Sequence, residues 1–397
     1  MRQLFHLPLA FSLICGSLHL AAQGRVAPPL REALNQIDAA TAAEYAKDKV
    51  GSITIGVVSG PGLVWTRSYG YADMESKAPA TRNTLYRIGS VTTQFTALML
   101  LQLVQDGKVH LSDPVEKYLP EIDKIRERYP EAPPITLIQL ATHTSGLASE
   151  PDDQARYVNG PVAEWEQMLF AAVPHVHYVF EPGTRVGYSN IGYALLGAAL
   201  ARSANEPYIE YVRKRIFIPL GMTHTFFELP ALNLTELAKG YELEGNKVDA
   251  RTPQQEHRGR GYKVPNGAIY TTVEDLARFV AFEMGEGPPN VLKQEALEDN
   301  FKRFTVLAND NPAYLASGYG IGFRFSVRND LTSFGHAGGV SGYEARADFD
   351  RVSKTGIIAL RNTGGKSVHL GTTELVIYSL ETVAQAVRLS AKTTLGP

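Results

Sequence analysis

The chain has 397 residues, of which 44% are hydrophobic and 20% charged, a globular profile with material for one large domain or two ordinary ones. Lysine and arginine total 39 against 41 aspartates and glutamates, a formal charge of −2. With no long basic run and no interleaved aromatics, nucleic acid is excluded as a natural partner. At the start, Met1-Arg2 precedes an apolar stretch from Leu4 to Leu20, followed by Ala21-Ala22-Gln23. A basic start, an apolar middle and small residues near a cut point describe a secretory signal peptide. Residues 1–22 are therefore expected to be removed and the protein to be periplasmic or secreted. The alternative is a retained anchor, which His6, Pro8 and His19 weaken. Cys15, the sole cysteine, falls inside this stretch and follows the bulky Ile14, which departs from a lipoprotein pattern. A mature chain would then carry no disulfide.

Beyond the leader, Leu30, Ala33, Leu34, Ile37 and Ala40 recur at helical spacing and predict an amphipathic helix within 28–49. Ser52–Ser59 is β-branched and reads as a strand, Gly60-Pro61-Gly62 as a turn, and Leu63–Tyr69 as the second strand of a hairpin. Ser90–Gln105 is a strongly apolar helix that stops near Gly107. A mostly helical region with proline-marked loops at 130–134 and 151–161 extends to about Glu256. Strand character returns at Ser333–Tyr343, Ala345–Phe349 and Gly356–Arg361, and Thr373–Val387 reads as a closing helix. The order predicts an α+β fold: an antiparallel sheet flanked by helices, with the helical region of about 90–256 inserted between strands of a single domain spanning 28–390. No other segment reads as membrane-spanning.

Three separated segments look like site loops. In Gly89-Ser90-Val-Thr-Thr93 a small residue precedes a serine at a helix start, where the helix favours developing negative charge; alone, the serine is equally a helix cap. In Tyr188-Ser189-Asn190 a phenol can move protons and an amide can bind a carbonyl, although a tyrosine packed before an apolar helix would look the same. In His336-Ala337-Gly338-Gly339 the glycines let a strand backbone approach a ligand and present an N–H to an oxyanion, or they form a bulge beside an incidental histidine.

Taken together, the three segments resemble the serine β-lactamase and penicillin-binding-protein superfamily, in the branch of class C β-lactamases, carboxylesterases and D-amino-acid peptidases. That family's marks are a Ser-x-x-Lys, a Tyr-x-Asn and a Lys-Thr-Gly or His-x-Gly strand. Ile135–Leu147, Pro219–Thr223, Asn266–Leu276 and Tyr319–Phe323 are similar to it as well. The resemblance implies Ser90 as acyl-forming nucleophile and Tyr188 as general base or acid. It implies Asn190 on the acyl side of the substrate and His336 on the site-lining strand, with the amides of Ser90 and Gly339 as oxyanion hole. The departure is Thr93, where the family has lysine. Residues three apart share a helix face, so a lysine there would set an amine beside the serine and activate it. Threonine carries no such charge and is no base.

The same resemblance places His143 and Ser145 in a structural turn. His175 and His177 would face one side of a strand, but two ligands do not make a zinc site, so no metal and no cofactor is expected. Asn233-Leu-Thr235 is a sequon without functional weight, and Asp152-Asp153 reads as a solvated loop. The sequence therefore predicts an exported serine hydrolase of small ester or peptide-like substrates, slow because of Thr93. The alternative is a binding protein that keeps the pocket and has lost the chemistry.

Overall fold

The computed structural model describes residues 27–126, 129, 131–245, 247–255, 259–307, 314–365 and 371–394. The expected signal segment, 1–22, lies outside them. The first helix, α1 (Pro28–Tyr45), starts on a proline whose fixed φ suits the first turn. It buries Leu30, Ala33, Ile37, Thr41 and Glu44, a three-four stripe. The hairpin follows as β1 (Ser52–Ser59) and β2 (Gly62–Asp73), with a short β3 (Ala78–Pro79) at its edge. The second half of the chain adds β4 (Phe304–Val306), β5 (Ala316–Gly320), β6 (Arg324–Arg328), β7 (Leu331–Val340), β8 (Tyr343–Asp350) and β9 (Thr355–Arg361).

These nine strands form one sheet in the order β3-β2-β1-β9-β8-β7-β6-β5-β4, with antiparallel pairing throughout. The N-terminal hairpin thus docks on the last strand, with Ile55 opposite Ala359. Alternation along the strands supplies both faces with apolar side chains. Ile53, Ile55, Val57, Ile357 and Ala359 pack with α1 and the closing helix α5 (Thr372–Thr394). Val58, Ile358, Leu360, Ala345, Ala347 and Phe349 belong to the larger core on the opposite face. Each valine, leucine, isoleucine or phenylalanine among them, fully removed from water, contributes about 1.5–3 kcal/mol. Arg361 is fully buried and reaches Glu44 at 3.4 Å and Asp48 at 3.0 Å, tying β9 to α1 and the turn after it.

Many of the described residues between β3 and β4 pack into that larger core. A 3-10 turn, Gly89–Thr92, leads into α2 (Thr93–Gln105), which is apolar nearly all round and therefore central: Phe95, Leu98, Met99, Leu100 and Leu103 are buried. Its end is set by Gly107 at φ +66. The Gly107 amide bonds Val104 O at 3.1 Å and the Lys108 amide bonds Leu103 O at 2.9 Å, a Schellman stop that needs a left-handed residue. The site also uses α3 (Asn190–Ala204), and α4 (Val273–Ala281) covers the hairpin.

The structure moves two sequence expectations. The inserted region does not end at 256: α4 and the helix Gln294–Asn300 precede β4, because the hairpin needs a cover on its inner face. The His175-Val-His177 segment is no strand; Val173–His175 is a 3-10 turn. His175 lies against the Tyr157 ring at 5.8 Å, while His177 Nδ1 stands 3.5 Å from Asp152, which also pairs with Arg126. Among the described residues no helix is long and apolar enough to cross a membrane.

Candidate active site

The nucleophile turn is pressed flat on β7, and two glycines allow it. A Cβ placed on Gly338 would come within 2.0 Å of Ile88 O and 2.8 Å of Ser90 N. Gly89 sits at φ +48, and a Cβ there would lie 2.9 Å from Gly339 N. No other residue type fits this junction without moving the serine off the strand. The approach sets the backbone at Ser90 beside that at Gly339. A Cβ on Gly339 itself would face open space, the side from which a substrate carbonyl could reach both amides. Ser90 is half-buried, between the core and that opening.

Thr93 opens α2 and is fully buried. Its hydroxyl donates to Ser90 O at 2.5 Å. The Tyr188 phenol lies near the side chains of both Ser90 and Thr93. Thr93 is neutral and brings no charge that would hold a phenolate. Burial pushes Tyr188 above the ordinary phenol range, and the charge of Glu150 adds to the rise; the contacts with Ser90 and Thr93 and the charge of Arg324 oppose it. The site thus assembles nucleophile and phenol but not the ammonium that would hold the phenol ready as a base.

Around Tyr188 stands an aromatic cluster. The His143 ring lies 4.2 Å from Tyr188, 4.9 Å from Tyr193 and 4.5 Å from Tyr319. His143 has φ 56, the turn geometry the sequence implied. Its Nδ1 accepts the Ser189 amide at 3.1 Å, which puts the ring proton on Nε2. Burial drives its pKa well below the histidine norm, so the ring stays neutral.

His336, expected on the site-lining strand, lies 6.2 Å from the Tyr188 ring. Its ring is buried at 3% exposure, with Nδ1 2.6 Å from Ala337 O and Nε2 2.8 Å from the Tyr319 hydroxyl. With Nδ1–H on the carbonyl, Nε2 accepts from Tyr319. Burial pushes it down to about 3, so it supplies neither a cation nor a free base near neutral pH. The physical reason is its strand register: His336 pairs with Ala347 on the core face.

Asn190 is the first residue of α3, capped by Ser189, whose hydroxyl accepts the Gly192 amide at 3.0 Å. Its amide is held at both ends: Nδ2 donates to Glu150 Oε1 and Oδ1 accepts from Asn266, each at 2.7 Å. Glu150 also binds Lys263 at 2.7 Å and accepts the Tyr262 hydroxyl. Glu150, Tyr262, Lys263 and Arg324 carried no signal in the sequence reading, since they belong to no short motif. Asn266 and Tyr319 lie in stretches that matched the resemblance and could have been singled out there. No group of three histidine, cysteine or acidic side chains suited to a metal occurs among the described residues.

Comparison with known proteins bears on the family and the fold. The family described as Beta-lactamase matches residues 37–377. Beta-lactamase-like protein 2 of Dictyostelium discoideum is 28% identical over 339 residues, 83% of this chain and 59% of that protein; the chain thus spans under two thirds of that relative's length. The octameric penicillin-binding protein homologue of Pyrococcus abyssi superposes with a TM-score of 0.74 at 26% identity, over 89% of this chain and 77% of that one. The D-amino acid amidase of Ochrobactrum anthropi, in a complex with L-phenylalanine amide, shares the fold with a TM-score of 0.73 at 24% identity, over 89% and 99% of the two chains.

Proposed function

The chain belongs to the beta-lactamase family, and from that premise we propose that it is a slow serine hydrolase working through an acyl-enzyme on Ser90. One observation carries the reading: the glycine junction between the Ser90 turn and β7. A binding protein has no need to press a serine amide against a strand amide, whereas acyl transfer needs both donors at one oxyanion.

In the reaction, Ser90 Oγ attacks the substrate carbonyl as its proton passes to the phenolate fraction of Tyr188. The amides of Ser90 and Gly339 hold the oxyanion, and Tyr188 returns the proton to the leaving group. Water then repeats the sequence on the acyl-enzyme. Small esters are the favoured substrates, with peptide-like amides behind them, because a good leaving group asks less of a weak base. The strand sequence His336-Ala337-Gly338 in place of Lys-Thr-Gly argues against β-lactams. Thr93 favours the competing reading, a non-catalytic binder, because it supplies no cation to hold the Tyr188 phenolate. The N-terminal pattern supports an exported protein, and N-terminal sequencing of the protein recovered outside the cytoplasm tests that.

The deciding experiment is labelling with a fluorophosphonate probe and intact-mass analysis. One adduct in the parent and none in Ser90→Ala supports the hydrolase. No adduct in either, in folded protein, gives the site to the binder.

A further inference from the structure

Thr93 removes one cation from the site, and the structure holds another on a different element. Arg324 opens β6, opposite Tyr319 of β5 and Gly335 of β7. Its guanidinium stands over the Tyr319 ring, 6.0 Å from the centroid. Tyr319 in turn bonds His336 at 2.8 Å, stands edge-on to Tyr188 at 6.3 Å and lies 4.5 Å from His143. Arg324 also lines a cleft of about 400 Å³ with Ser333, Ala337, Arg346 and Asp348. Arg346 is committed to Asp348 at 2.7 Å, whereas among the described residues no ion pair to Arg324 is found.

The other titratable and charged groups around Tyr188 can be named element by element. Ser90 and Thr93 come from the nucleophile turn and α2, and Tyr193 from α3. His143 and Glu150 come from the turn after the helix Leu137–Ala141 and the loop beyond it, Tyr319 from β5 and His336 from β7. Both histidines are held neutral by burial, and Glu150 is negative and paired with Lys263. Arg324 is the cation whose charge reaches Tyr188 in the sense that favours the phenolate.

Resting on the acyl-enzyme reading, we infer that Arg324 is a positioning residue that stands in for the absent lysine, its charge acting across the Tyr319 ring to favour the Tyr188 phenolate as Ser90 gives up its proton. A cation on an aromatic face is attracted by the ring, which keeps the guanidinium at the cluster without a carboxylate partner to neutralise it. The distance and partial solvation make it a weaker substitute than an ammonium in contact, in keeping with a slow enzyme.

The test uses p-nitrophenyl acetate, which is neutral, and mono-p-nitrophenyl glutarate, which carries a carboxylate. Acylation is followed from pH 6 to 10 in the parent, Arg324→Gln, Arg324→Lys and Ser90→Ala. We expect Arg324→Gln to lower Ser90-dependent acylation by the neutral ester about threefold with KM unchanged. The alkaline rise should move up by about half a pH unit, the scale for one partly screened charge. Arg324→Lys should restore most of both. If Arg324→Gln leaves the neutral-ester profile unchanged and only raises KM for the glutarate ester, Arg324 is a substrate anchor and the inference is overturned. If the parent shows no Ser90-dependent acylation, the hydrolase reading fails, and the inference is then read on Tyr188 directly. The ¹³Cζ-tyrosine resonance missing in Tyr188→Phe must titrate higher in Arg324→Gln than in the parent; equal titration overturns it.

Discussion

The acyl side of the site and its nucleophile side are close in space but are held by different means. Around Asn190 the structure uses charge: Lys263 at 10% side-chain exposure pairs with Glu150, which fixes the asparagine amide while Asn266 fixes its oxygen. Around Ser90 the contacts are neutral, with Thr93, Tyr188 and a ring cluster of two uncharged histidines and two further tyrosines. A charged network specifies where an amide points; a neutral one packs well but leaves a phenol near its resting protonation state. The binding half of the site is therefore rigidly specified, and the proton-transfer half is assembled without its usual cation.

The largest way to break that comparison is at the phenol. Tyr188→Phe keeps the ring among His143, Tyr319 and His336 and deletes the proton carrier. Ester hydrolysis should fall about 10²–10⁴-fold, the scale of a general acid–base group, read as kcat/KM with thermal stability as control. A folded variant with parental activity would move the base elsewhere.

Supplying the missing charge should sharpen the contrast. Thr93→Lys places an amine one turn from Ser90 and beside Tyr188, and should raise ester hydrolysis by about tenfold or more. Burying the amine costs some stability, so the midpoint of urea unfolding should fall. The gain must vanish in the Ser90→Ala double variant. A well-folded Thr93→Lys with no gain on a broad ester panel would instead show that the proton-transfer half has drifted beyond one residue.

Lys263→Met tests the charged half. It leaves Glu150 without its ammonium, frees the acyl-side amide and exposes Tyr188 to an uncompensated negative charge. Unfolding free energy should drop by about 1–3 kcal/mol, less than for a fully buried pair because Glu150 keeps 23% exposure. Activity at neutral pH should fall several-fold, as the phenolate becomes harder to form. Denaturant melts and a pH profile read the two effects separately.

The smallest effect on activity concerns a buried acid outside the site. Burial pushes Glu283 up to about 8, against the opposing charge of Arg351, while an unfolded glutamate titrates near 4.3. The native state therefore holds a proton that the unfolded chain has lost, and this stability is full below about pH 4.3 and disappears as pH rises through 8. Glu283→Gln should stay close to the parent in Tm at pH 5 and exceed it by several degrees or more at pH 8.5, since the gap between about 4.3 and about 8 is worth several kcal/mol at about 1.4 kcal/mol per pH unit. Equal pH dependence in both proteins would show that Glu283 is ionised in the native state.

What the sequence alone determined is what short segments encode. The β-branched run at Ser52–Ser59, the apolar α2 with its Gly107 stop and the late strands follow from periodicity and turn chemistry. The glycines at 89 and 338 announced a close backbone approach, because only glycine tolerates one. Thr93 was visible as the odd residue at a spacing where a helix face would present an amine.

Tertiary structure alone decided what depends on contacts between distant segments. It set the rotation of His336 into the core, since strand register is fixed by pairing with β8 rather than by the residue itself. It also built the network that joins Glu150, Asn190 and the Lys263–Asn266 stretch across three separate segments, and set the Tyr319 ring, with Arg324 over it, edge-on to Tyr188. Burial, which sets the charge of His143, His336 and Tyr188, is a property of everything packed around a group, and no local pattern of residues contains it.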